Sequence, residues 1–274
     1  MSQNPSRPGL ARPSLAPPRE RRRWRAEVAI VLGLSLGQSA VYAMLNLADR
    51  LTQAGPLDQQ TAALNTSDSP KPWLDLLYQL AGIGFGLVPA LLAVYLLAVG
   101  PGLKPDGGSR RGLGPRRIGL TLDRPWRDLA WGAGLAAGIG LPGIGLYLLG
   151  RALGITVHIS TASLGAFWWT IPVLVAAALQ NGLLEEVIAV GYLGDRLTRL
   201  GWRPWAWIAA SALLRGSYHL YQGFGPFFGN VAMGLVFAWF YNRQRRVMPL
   251  VIAHTLIDVV AFIGPGLLHP SWLS

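Results

Sequence analysis

Six ionisable side chains stand inside apolar stretches of this 274-residue sequence: Glu185, Glu186, Arg215, His219, His254 and Asp258. Arg215 precedes His219 by four residues and His254 precedes Asp258 by four, so on a helix each pair shares one face. Glu185 and Glu186 are adjacent and diverge by about 100° around a helix, which leaves only one of them pointing fully at a common site. Asn230 is a further polar candidate. Carboxylates and imidazoles without a single cysteine allow two chemistries. One is a metal site of nitrogen and oxygen ligands, with a divalent ion such as zinc held by Glu185, His219 and His254. The other is metal-free activation of water by a glutamate with help from histidine. The HExxH pattern, which places both histidines on one helix, is absent.

The elements that position these groups belong in lipid. Charged residues make up 14% of the chain, hydrophobic ones 51%, and the mean hydropathy is +0.35; a soluble domain carries about 25% charged residues. Seven stretches approach the roughly 20 apolar residues that a spanning helix needs: 28–47, 74–99, 129–150, 169–194, 204–222, 226–242 and 248–266. The expected fold is therefore all-α, a polytopic helical membrane protein of about seven transmembrane helices. An Arg or carboxylate at the bilayer centre costs about 2.5–3.5 kcal/mol on insertion scales, so such residues line a functional interior.

The basic balance, +11 net, follows the same layout. Segments 1–27, 100–128, 195–203 and 243–247 hold 7, 7, 3 and 3 of the Lys and Arg, whereas the segments between them hold 2, 1 and none. By the positive-inside rule the heavy segments are cytoplasmic, with the N-terminus inside the cell membrane and the C-terminus outside. Arg215 is the one cation inside a span. Residues 1–24 read as a disordered basic cytoplasmic tail that meets membrane lipids, and 25–274 as one membrane domain whose first span is an uncleaved anchor. No motif or aromatic-interleaved basic patch points to nucleic acid. Gly82 with Gly86 and Gly134 with Gly138 have the spacing that lets membrane helices approach closely. His158 and His269 fall in outer segments with no acidic neighbour at ligand spacing and are expected to be dispensable.

The run Glu185-Glu186-Val187-Ile188-Ala189-Val190-Gly191-Tyr192-Leu193, then Tyr218-His219, then His254-Thr255-Leu256-Ile257-Asp258 resembles three motifs of one family. These are EExxxR followed by Gly-Tyr/Leu, FxxxH, and HxxxN or HxxxD, of the CPBP (Abi) family, the type II CAAX prenyl endopeptidase-like intramembrane proteases. The resemblance covers about residues 167–265, which would be the catalytic core. It implies an intramembrane endopeptidase acting near the cytoplasmic face on a membrane-embedded or lipidated protein or peptide. Glu185 would activate water, His219 would help hold it, His254 and Asp258 would polarise the scissile carbonyl, and Glu186 would order the site through the family arginine. That arginine position is Val190 here, and the phenylalanine position of FxxxH is Arg215. Arg215 is therefore expected to pair with Glu186, or else with Glu185, across the helix interface and to replace the missing cation. Two other readings stand beside the protease: a non-proteolytic scaffold, immunity or secretion protein on the same fold, and a proton-coupled transporter using the carboxylates and histidines as a relay.

Overall fold

The computed structural model describes residues 17–99, 113–160 and 164–268. Most of the expected tail, His269 and the C-terminus lie outside them. The described residues form helices α1 (Pro18–Gly33), α2 (Leu36–Thr52), α3 (Pro72–Gly86), α4 (Val88–Val99), α5 (Leu113–Arg117), α6 (Pro125–Ala152), α7 (Thr170–Glu185), α8 (Leu193–Arg199), α9 (Pro204–Tyr218), α10 (Phe224–Gln244) and α11 (Met248–Leu268). Helix α1 takes in residues 18–24, which were read as tail. The strands β1 (Thr61–Ala63) and β2 (His158–Ser160) pair in parallel, Thr61 opposite His158. His158 thus sits in a small sheet rather than in a bare loop.

Five helical runs are long and apolar enough to cross a membrane among the described residues: Pro72–Val99, Pro125–Ala152, Thr170–Arg199, Phe224–Gln244 and Met248–Pro265. The pair α1 and α2, bent by 49°, makes a sixth if counted as one span. At that bend Ser35 Oγ donates to the Val31 carbonyl at 2.5 Å, drawing the i−4 acceptor out of the helical ladder. The expected count of seven is not reached because α9 stops after 15 residues. At 1.5 Å per residue that is about 22 Å, short of the roughly 30 Å hydrocarbon layer.

The segments sorted by charge gather at opposite ends. At one end Arg117 forms a two-pronged pair with Asp195 at 2.8 and 3.1 Å, Arg196 reaches Glu27 at 3.1 Å, and Arg246 pairs with Asp128. All four basic segments therefore meet there. The Thr121 hydroxyl and the Arg246 guanidinium hold the nearby Asp123 carboxyl down to about 2. At the other end lie the β1–β2 pair and an antiparallel bridge from Thr156 to Gly223. The alternation counted along the chain is thus a real two-ended arrangement.

Helix α7 does not end at Glu185 but widens, and residues Glu186–Tyr192 continue it as a π-helix, all seven buried, before α8. Such i→i+5 stretches disturb the carbonyl ladder and recur at functional sites. Here Ser211 Oγ of α9 donates to the Ala189 carbonyl at 2.6 Å in the buried interior. Val187, Ile188, Ala189, Val190 and Tyr192 lie in the main apolar core with Trp207, Ile208, Phe237 and Tyr241.

Of the four glycines expected at close helix approaches only Gly86 is at one, a Cβ there coming to 2.9 Å from the Gln180 side chain of α7. A Cβ on Gly82, Gly134 or Gly138 would meet nothing within 4 Å, because these faces point away from the described protein. At Gly182 of α7 a Cβ would come to 2.8 Å from Thr255 Oγ1 and 3.1 Å from the Val251 carbonyl oxygen of α11. Gly182→Ala must push apart the two helices that carry Glu185 and His254. It is expected to cost about 1–3 kcal/mol and to lower any activity of the site, checked by thermal unfolding in detergent beside an activity assay; unchanged values would show that α11 yields freely.

Candidate active site

Both glutamates face the same site, contrary to the 100° estimate for a regular helix. Glu186 opens the π-helical stretch, and the two carboxylates meet because Arg215 and His254, from two other helices, each stand against both of them. Arg215 of α9 joins them, with Nη2 at 2.5 Å from Glu186 Oε1 and Nη1 at 3.3 Å from Glu185 Oε2. Arg215 and Glu186 are fully buried. The cation expected beside Glu186 is there, reaching from a different helix to the one that lacks the arginine of EExxxR.

His254 of α11 closes the cluster. Its Nδ1 lies 2.7 Å from Glu186 Oε1, and its Nε2 lies 3.9 Å from Glu185 Oε2 and 3.7 Å from Asp258 Oδ1. With Nδ1 occupied by Glu186, Nε2 is the ring atom turned toward Glu185 and Asp258. The shared face of His254 and Asp258 read from their spacing is thus present.

Two partners were missed in the sequence. Tyr218 donates its hydroxyl to Glu185 Oε2 at 2.6 Å, and Asn181 donates its amide to Asp258 Oδ2 at 3.2 Å. Both are neutral, so a count of ionisable groups passes over them. Asn181 stands one turn before Glu185 on α7, and a search for buried amides at i,i+4 would have found it.

His219 and Asn230 are placed differently from expectation. Helix α9 ends at Tyr218 and His219 is its C-cap, so the face that it was to share with Arg215 is broken at that residue. Both His219 ring nitrogens are buried without a hydrogen-bond partner, and no ion pair joins it to the cluster among the described residues. Its ring lies 4.9 Å from that of Tyr218, centroid to centroid. Asn230 donates to the Pro226 carbonyl of its own helix at 3.0 Å, an assignment that spends its amide locally.

One ligand atom each from Glu185, Glu186 and His254 lie within 4.8 Å of one another, so Glu186 stands where His219 was expected in a metal set. The donor chemistry suits zinc, but Arg215 does not. An ion among these three atoms would lie against a guanidinium already bonded to both carboxylates. Like charges about 4 Å apart repel by about 4 kcal/mol per unit charge at an effective dielectric of 20. The arginine supplies the countercharge that a metal would bring, and the set as built does not fit a resident divalent ion.

An all-helical polytopic membrane protein with a buried carboxylate, imidazole and guanidinium cluster is the class that fold and site define. Residues 167–260, which carry the whole cluster, match the model of the Rce1-like family, type II CAAX prenyl endopeptidase Rce1-like. This is a protease family and agrees with the CPBP resemblance of the motifs; it supports a hydrolase. No curated protein and no solved structure matches the chain significantly.

Proposed function

We propose that this chain is an intramembrane endopeptidase that hydrolyses peptide bonds near the cytoplasmic face, using water activated by Glu185. The observation that carries this is how Glu185 is held. Its Oε2 takes the Tyr218 hydroxyl and the Arg215 guanidinium, while Oε1 accepts no hydrogen bond among the described residues. A fixed carboxylate with one open oxygen is the form a general base requires.

Oε1 takes a proton from water as the hydroxide adds to the scissile carbonyl carbon. His254 Nε2 is the donor for the oxyanion, steadied by Asp258, which Asn181 orients. The unpartnered nitrogens of His219 face the task of holding the water. Collapse of the tetrahedral intermediate breaks the C–N bond, and the proton on Glu185 passes to the leaving amine. Preorganised donors of this kind are worth several kcal/mol at the transition state. Glu186 and Arg215 hold the base and His254 in register and touch no reacting atom.

The substrate is a membrane-embedded or lipidated protein or peptide. The test is reconstitution in proteoliposomes with a farnesylated peptide ending in a CAAX sequence, products read by mass spectrometry. Cleavage is the expected result. Loss of ion flux on changing Glu185, with no cleavage by the parent, would instead favour a transporter.

The orientation has its own test, made clean by the absence of cysteine. In sealed vesicles of known sidedness, Ser67→Cys is expected to react with an impermeant maleimide from the outer face and Trp202→Cys from the cytoplasmic face. The reverse pattern would invert the topology.

A further inference from the structure

Helix α2 contributes Gln38, Ser39, Tyr42 and Asn46 to the lining of an open cavity of about 400 Å³, completed by Ala43 and by Tyr218 and Tyr221. Gln38, Tyr42 and Asn46 recur every four residues and form one stripe. Their neighbours Val41, Met44 and Leu45 are apolar and about half exposed, as expected of a face turned to lipid. Gln38, Ser39 and Tyr42 make no side-chain hydrogen bond among the described residues, and Asn46 uses only its Oδ1, which accepts from Arg50 at 2.8 Å. Unused amides and hydroxyls beside hydrocarbon are costly. Tyr218 is the wall common to this cavity and the active site, because its ring lines the cavity and its hydroxyl donates to Glu185 at 2.6 Å.

We infer that this cavity binds the substrate as an extended peptide, its main chain hydrogen-bonded to the α2 stripe and led past Tyr218 to Glu185; the inference rests on the protease reading. A helical substrate has its backbone groups satisfied and hides the scissile carbonyl. Once unwound, it exposes N–H and C=O groups that hydrocarbon cannot satisfy. Gln and Asn amides each offer a donor and an acceptor, the complement of a peptide unit. The stripe from Gln38 to Asn46 rises about 12 Å, the length of roughly four extended residues.

The probe is the farnesylated CAAX peptide in proteoliposomes. Gln38→Leu with Asn46→Leu is expected to raise KM about tenfold and to leave kcat within about twofold, since two neutral hydrogen bonds are lost away from the reacting atoms. Independently, the Glu185→Gln protein carrying benzoylphenylalanine at Tyr42 is expected to crosslink the peptide, in competition with unlabelled peptide. An unchanged KM in a protein that cleaves, or crosslinking of phospholipid alone with the peptide excluded, would overturn the groove. A parent that fails to cleave defeats the protease reading instead. The crosslink needs no turnover and still decides whether a peptide occupies the groove.

Discussion

Arg215→Leu is expected to give the largest loss of stability of any single change at the site, about 3–5 kcal/mol, because it leaves a buried charge without its partner. Glu186 is fully buried and its Oε2 has no hydrogen-bond partner, so its charge is met at Oε1 alone, by the Arg215 guanidinium at 2.5 Å and His254 Nδ1 at 2.7 Å. The loss is to be measured by thermal or denaturant unfolding in detergent. Arg215→Lys is expected to recover only part, since an ammonium is a point charge and does not span both carboxylates as the planar fork does. Glu186→Gln combined with Arg215→Leu is expected to cost less than the sum of the two, because the double change removes the stranded charge. Adding Val190→Arg to Arg215→Leu returns a cation to the position of the family arginine and is expected to restore function in part. Val190 is fully buried in the core, and the larger side chain overpacks it. Additive single and double changes would show that the pair contributes nothing as a pair.

Glu185→Gln is expected to abolish cleavage of the farnesylated peptide, a loss of about 10²–10⁴-fold in kcat, with unfolding within about 1 kcal/mol of the parent. The amide keeps the shape and the Tyr218 contact but cannot take a proton from water. Glu186→Gln separates the two roles: stability falls together with activity, because the pair with Arg215 and the bond to His254 Nδ1 are both weakened. Full activity of Glu185→Gln would remove the protease mechanism. A parent and variant that are equally inert, yet bind a partner equally well, would support a scaffold.

The contrast between the two glutamates shows where sequence reasoning reached its limit. Helical periodicity is a local rule, and it correctly put His254 and Asp258 on one face. It failed at Glu185 and Glu186 because Arg215 and His254, from two other helices, hold both carboxylates at one place, and it failed at His219 because α9 ends one residue earlier. Neither event has a proline to announce it within those residues; both depend on what packs there, including the Ser211 hydroxyl that satisfies the Ala189 carbonyl.

Composition and charge placement by themselves determined that this is a polytopic helical membrane protein, that its basic segments lie together, and that the ionisable residues set in apolar stretches gather in its interior, as Glu185, Glu186, Arg215, His254 and Asp258 do. Those conclusions rest on desolvation, which penalises every misplaced charge whatever its neighbours. The tertiary structure decided which oxygen of Glu185 is left without a hydrogen bond, that Arg215 stands between the two carboxylates, that Asn181 and Tyr218 join the cluster, and that α9 ends after 15 residues, too short to span. These are matters of distances of 2.5 to 4 Å between different helices, set by close contacts such as Gly182 against Thr255. Spacing along one chain cannot encode them, because they depend on how the helices cross.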